Sequence, residues 1–267
     1  MDLRPIGIFD SGLGGLTCVK EIMKIMPSED IIYFGDTGRV PYGTRSRDTI
    51  VKYVRQDINF LKTFDIKAII IACGTASSAA LPMIKDEFSE ITGVVFPAAK
   101  KAAEKTKNGK IGVIGTEGSI RSGKYKEELL NLNPDFEIFE KACPLFVPFV
   151  ENGYLKGEAV RLIAEDYLSE IKNKGIDTLI LGCTHYPLLF ETIRLVMGDK
   201  VNLIDSGAAA AKFTKERIRS LSLQAEGREG SVKFFVSDIT ESFSKQGGMF
   251  LNREITEQVK RINIENY

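Results

Sequence analysis

Two stretches of the chain decide its reading: Ile69-Ile70-Ile71-Ala72-Cys73-Gly74-Thr75 and Leu179-Ile180-Leu181-Gly182-Cys183-Thr184-His185. Each is a continuously apolar run that stops at a small residue, then a cysteine, with a threonine close behind. A strand covered on both faces reads this way, because neither face needs polar side chains. The pattern has an upstream echo. Ile6-Gly7-Ile8-Phe9-Asp10-Ser11-Gly12 resembles Ile111-Gly112-Val113-Ile114-Gly115-Thr116-Glu117-Gly118, and each lies a similar length before one of the cysteine segments. Two half-chains of this kind place one cysteine each at the carboxyl end of a parallel strand, where open α/β sheets bind ligands. If the halves face each other, the two thiols sit on opposite walls of one cleft.

Working outward, further strand-like runs fall at 31–34, 93–96, 136–139, 201–204 and 232–236. Amphipathic stretches lie between them, at 16–25, 49–64, 100–107, 121–130, 157–172 and 208–219. In the second of these, Ile50, Val54, Ile58 and Leu61 fall on one helical face. Strands alternating with helices predict an α/β fold with mostly parallel sheets.

Composition narrows the function classes. The 267 residues are 43% hydrophobic and 27% charged, with 36 basic and 36 acidic side chains in balance. That excludes disorder and gives no basic excess for nucleic acid. No apolar run approaches the length of a membrane span, and the N-terminus lacks a signal-peptide core, so a cytoplasmic protein is expected. The four cysteines, Cys18, Cys73, Cys143 and Cys183, form no CxxC pair, which argues against a disulfide scaffold and against a metal site.

Cys18 and Cys143 read as small buried hydrophobes. Cys73 and Cys183 differ, because a strand end that abuts a helix N-terminus lowers a thiol pKa toward neutrality. His185, the only histidine, lies two residues after Cys183 and is placed to assist it. Asp10 ends the first strand and is placed to assist Cys73. Two acid/base groups on opposite faces of one carbon suit inversion of a stereocentre: one removes the Cα proton and the other returns a proton from the far side.

At these residues the sequence resembles the glutamate racemases of the aspartate/glutamate racemase superfamily. The resemblance rests on GIFDSGLGGLT from Gly7, FGDTGRVPYG from Phe34, ACGTAS from Ala72, VIGTEGS from Val113, VPFVENG from Val147 and LGCTHYPLL from Leu181. It implies two pseudo-symmetric α/β domains with the active site at their interface. By analogy these are residues 1–97 with 208–267, and 98–207. It also implies a cofactor-independent enzyme that interconverts L- and D-glutamate for peptidoglycan synthesis, commonly as a homodimer. Cys73 and Cys183 become the bases, and Asp10 and His185 their helpers. Asp10, Ser11, Pro41, Tyr42, Gly43, Gly74, Thr75, Thr116, Glu151, Thr184 and His185 become the substrate site, with no metal. One departure stands out: the family usually has asparagine after the first cysteine, and here it is Gly74.

The motifs have plainer readings too. The Gly12–Gly15 run looks like a dinucleotide fingerprint, but Thr17 occupies its third glycine position, and a capped strand-to-helix turn explains it equally. Pro41-Tyr42-Gly43 reads as a turn whose backbone and hydroxyl contact a carboxylate. Thr75 and Thr184 suit helix caps. Aspartate racemisation, a non-catalytic anion-binding module and a thiol redox sensor stay open. A reaction of this kind without cofactor needs a dry, donor-rich site around the carbanion, and therefore closure of two domains over the ligand.

Overall fold

The computed structural model describes residues 1–88, 90–238, 243–255 and 258–267. Chain order begins β1 (Ile6–Asp10), α1 (Leu16–Ile25), β2 (Ile31–Gly35), α2 (Arg47–Lys62), β3 (Ala68–Ile71), α3 (Gly74–Ala79), α4 (Leu81–Ile84), β4 (Ile91–Gly93) and α5 (Val95–Lys105). It continues with β5 (Lys110–Gly115), α6 (Glu117–Arg121), α7 (Lys124–Leu132), β6 (Glu137–Ala142), α8 (Phe146–Glu151), α9 (Glu158–Asn173), β7 (Thr178–Leu181), α10 (Phe190–Met197) and β8 (Asn202–Asp205). The chain closes with α11 (Ser206–Ser220), β9 (Val232–Val236), α12 (Phe243–Leu251) and β10 (Val259–Arg261).

The strands form two sheets, in orders β10-β9-β2-β1-β3-β4 and β6-β5-β7-β8. Every pairing among the described residues is parallel. The orders β2-β1-β3-β4 and β6-β5-β7-β8 are the same pattern twice, so the echo between the half-chains is architectural. β1, β2, β3 and β7 are buried along their whole length, which accounts for their unbroken apolar sequence.

Each half sends the helix after its fourth strand to the other sheet. Val95, Ala98, Ala99 and Ala102 of α5 pack in one core with Ile111, Val113, Ile180 and Ile204 of the second sheet. Ala210, Ala211 and Ile218 of α11 pack in a core with Ile6, Ile8 and Ile70 of the first. The exchanged helices also meet, with Phe96 edge-on to Phe213.

Three expectations change. The run at 93–96 is the end of β4 and the first turn of α5, since a short apolar run fits strand or helix equally well. Pro97 sits in that first turn, where its missing N–H costs nothing. The single helix expected at 121–130 is two, α6 and α7, parted at Gly123 with φ +64°. Finally, β10 has only three residues, two of them exposed, and no apolar run marked it.

Candidate active site

Both cysteine segments end at the same place in their sheets, two residues past β3 and two past β7. Cys73 is the N-cap of α3. Its sulfur accepts the Ala76 N–H at 3.4 Å, and its S–H points to Ser11 Oγ at 3.5 Å. The Cys183 sulfur lies 3.8 Å from His185 Nδ1. The two cysteines share one cavity of about 350 Å³. Ser11, Pro41, Tyr42, Gly43, Gly74, Thr75, Thr116, Glu151, Thr184 and His185 are also in its wall.

Asp10 is not in that wall. It is buried beneath it, where its carboxylate accepts the Gly12 N–H at 2.9 Å and the Thr184 hydroxyl at 3.4 Å. Its hydrogen bonds therefore tie the first glycine turn to the second cysteine segment, and Ser11 is the group that touches Cys73. Burial raises the Asp10 pKa against the pull of His185 and of the N–H donors of the turn.

Tyr42 is in the cavity wall, but its hydroxyl is engaged elsewhere. Its hydroxyl donates to Asp36 and lies 3.1 Å from Asp57, both fully buried behind the wall, with Arg39 bridging the same carboxylates. The expected hydroxyl contact to a ligand is thus replaced by a structural one, because two buried carboxylates compete for that proton.

His185 is bound at both ring nitrogens. Nε2 sits 3.1 Å from Glu151 Oε1 at the end of α8, so the ring links Cys183 to a carboxylate that reaches solvent. Burial pushes an imidazole pKa down, but the hydrogen bonds to Cys183 and Glu151 and the charge of Asp10 outweigh it and raise His185 to about 10. At Cys73 the balance goes the other way from expectation. Burial and the Asp10 charge push the thiol up to about 12, against the Ala76 N–H and the Ser11 hydroxyl. The helix N-terminus does lower it, but less than desolvation raises it.

Sequence reading missed Ser119. Thr116 Oγ1 caps α6 by accepting the Ser119 N–H at 3.2 Å, and the hydroxyls of Thr75, Thr116 and Ser119 join across the two halves at 2.9–3.4 Å. The T-x-x-S spacing was the available signal. Val147 and Pro148 of α8 and the preceding Pro144 add an apolar side. Among the described residues no group of three or more His, Cys, Asp or Glu side chains is placed to hold a metal ion.

Gly74 has a steric reason. A Cβ there would overlap the backbone carbonyl oxygen of Gly182, the residue before Cys183. The two strand ends approach that closely only because position 74 has no side chain. The same contact leaves no room for an asparagine on this backbone.

Paired parallel sheets that face each other across a cleft, with one strand-end thiol from each, define a class of α/β racemases. Residues 16–214 match the Asp/Glu/Hydantoin racemase family, and the chain belongs to it. Relatives that match the chain over its full length include glutamate racemases. That of Geobacter metallireducens is 44% identical over 99% of this chain and 98% of its own. The structure of the Francisella tularensis glutamate racemase, in complex with D-glutamate, superposes with TM-score 0.92 at 39% identity over 100% of both chains. The Bacillus anthracis glutamate racemase gives 0.94 at 35% identity over 98% of both. Among the described residues, no helix is long and apolar enough to cross a membrane.

Proposed function

We propose that this chain interconverts L- and D-glutamate by removing the Cα proton to one thiol group and delivering a proton from the other, and that the D-isomer feeds peptidoglycan synthesis. The observation that carries the proposal is the pair Cys73 and Cys183, at equivalent strand ends in the two halves and in the wall of one cavity. One sulfur takes the proton from one face of Cα while the other gives a proton to the opposite face. The carbanion between them is held in a small cavity walled by both halves, where donors act at lower dielectric than in water.

The helpers are unlike because the halves are unlike at these positions. His185 stands two residues past Cys183, where the first half has Thr75; Asp10 ends β1, where the second half has Gly115. The raised pKa of His185 keeps a cation beside the Cys183 sulfur at neutral pH. Cys73 rests as the thiol and is the proton donor of the pair in that state. Asp10 then acts on Cys73 through charge and through the Ser11 turn rather than by direct contact. The hydroxyls of Thr75, Thr116 and Ser119 are suited to a carboxylate, and Glu151 to the amino group. The domain division at 97/98 and 207/208 falls in the first turns of the exchanged helices α5 and α11, with the substrate between the parts.

Incubation with L-glutamate in D2O tests this. Deuterium is expected at Cα in step with inversion. Cys73→Ser and Cys183→Ser are each expected to lower turnover by about 10²–10⁴-fold. Inversion without wash-in of solvent deuterium, or two cysteine variants with near-normal rates, overturns the reading. Exchange with aspartate in preference to glutamate would reassign the substrate alone.

A further inference from the structure

The second half supplies both hydrogen-bond partners of the His185 ring, but the first half packs against the ring itself. Gly14, in the turn before α1, comes so near that a Cβ there would sit 2.7 Å from Nδ1 and 2.8 Å from Cε1. Phe250 of α12 meets the ring with centroids 5.3 Å apart and planes at 88°. Phe250 is buried, so its ring has little freedom of its own. The helix carrying it is fixed on both sides. Gly247 lets α12 close on Leu16 of α1, where a Cβ would come within 3.0 Å of Leu16 Cδ1. Gln246 donates to the backbone oxygen of Glu151 at 3.3 Å.

Hydrogen bonds alone hold this imidazole loosely. The torsion that turns a histidine ring is broad and roughly two-fold, and a sulfur at 3.8 Å is a weak partner. A ring edge against one side and a bare backbone against another remove the alternatives. We propose that Phe250 is a positioning residue for His185: it keeps Nδ1 on Cys183 and Nε2 on Glu151, and does so only while the two halves are together. Its bearing on catalysis rests on the two-thiol reading above, whereas its hold on the ring does not.

The test uses the fact that His185 is the only histidine of the chain. Labelling with 15N-histidine gives one imidazole, whose nitrogen shifts report the hydrogen bond at each nitrogen and exchange of the ring directly. Phe250→Leu keeps apolar bulk without the ring, and Phe250→Ala removes both. The two nitrogen shifts are expected to move toward those of an unrestrained imidazolium in both variants, as the ring exchanges its partners at Nδ1 and Nε2. In Phe250→Ala, kcat is expected to fall about tenfold, with KM within about twofold. The Cα-deuterium isotope effect on kcat/KM is expected to rise in the direction in which Cys183 removes the proton and to fall in the other. A general loosening of the fold would lower both directions together and leave the isotope effects alone. Unchanged imidazole shifts in both variants overturn the proposal, and Phe250→Leu decides alone if the alanine variant does not fold. Shifts that move while the isotope effects stay symmetric sustain the hold on the ring and instead refute His185 as the partner of Cys183.

Discussion

At the scale of the residue, His185 owes its chemistry to two neighbours that share its proton. A histidine whose folded pKa lies above its unfolded value binds a proton more tightly when folded. Its contribution to stability is therefore whole below about 6.5 and fades as the pH rises toward about 10. NMR titration of the single imidazole is expected to show a midpoint well above that of a free histidine. Glu151→Gln, which removes one of the two raising partners, is expected to move the midpoint down. A midpoint near 6.5 in the unsubstituted protein would contradict the arrangement of Cys183, His185 and Glu151. The proximity of His185 to Cys183 was readable from a spacing of two residues. The role of Glu151 beside it was not, since α8 brings it back from 34 residues away. Tyr42 shows the opposite limit: its motif marked the turn, but the competition of Asp36 and Asp57 for its hydroxyl belongs to tertiary packing.

The element scale is governed by strand ends and the turns that follow them. β3 and β7 were evident from their apolar runs, and the position of the cysteines just beyond them followed. How nearly those ends touch could not be seen, because it depends on one absent Cβ at Gly74 meeting a carbonyl from the other half. Gly74→Ala is expected to push the N-terminus of α3 off Gly182 and to lower kcat/KM by about tenfold or more. Undiminished activity of that variant would mean that the close approach is dispensable. A second element-level contact lies far from the cavity. Lys67, directly before β3, is buried in an ion pair with Glu29 and donates to the backbone oxygens of Asp2 and Leu223. Lys67→Met leaves the Glu29 charge without its partner, and chemical denaturation is expected to show a loss of about 3–5 kcal/mol. A loss under about 1 kcal/mol would show that water already reaches that pair.

Across the whole molecule, the exchange of α5 and α11 makes each core depend on both halves of the sequence. The repeated segments announced two similar halves, and periodicity announced helices near both positions. Nothing in the pattern told which sheet each helix would cover, because an amphipathic helix fits either apolar surface. Unfolding is expected to be a single transition. Amides of β1 and β3 should share one opening free energy with those of β5 and β7 in native-state hydrogen exchange. Two separated values would show that the cores are independent.

The chain runs from the first sheet to the second between β4 and α5 and leaves the second between β8 and α11, and the helices that begin at these two crossings pack on each other, Phe96 against Phe213. Two covalent strands joined through one packed helix pair act like the paired knuckles of a hinge. They permit swinging about the line that joins them and resist twist and slide, so admitting a ligand reduces to one degree of freedom. The sulfurs would then separate and return along a single arc, meeting again in register without any search.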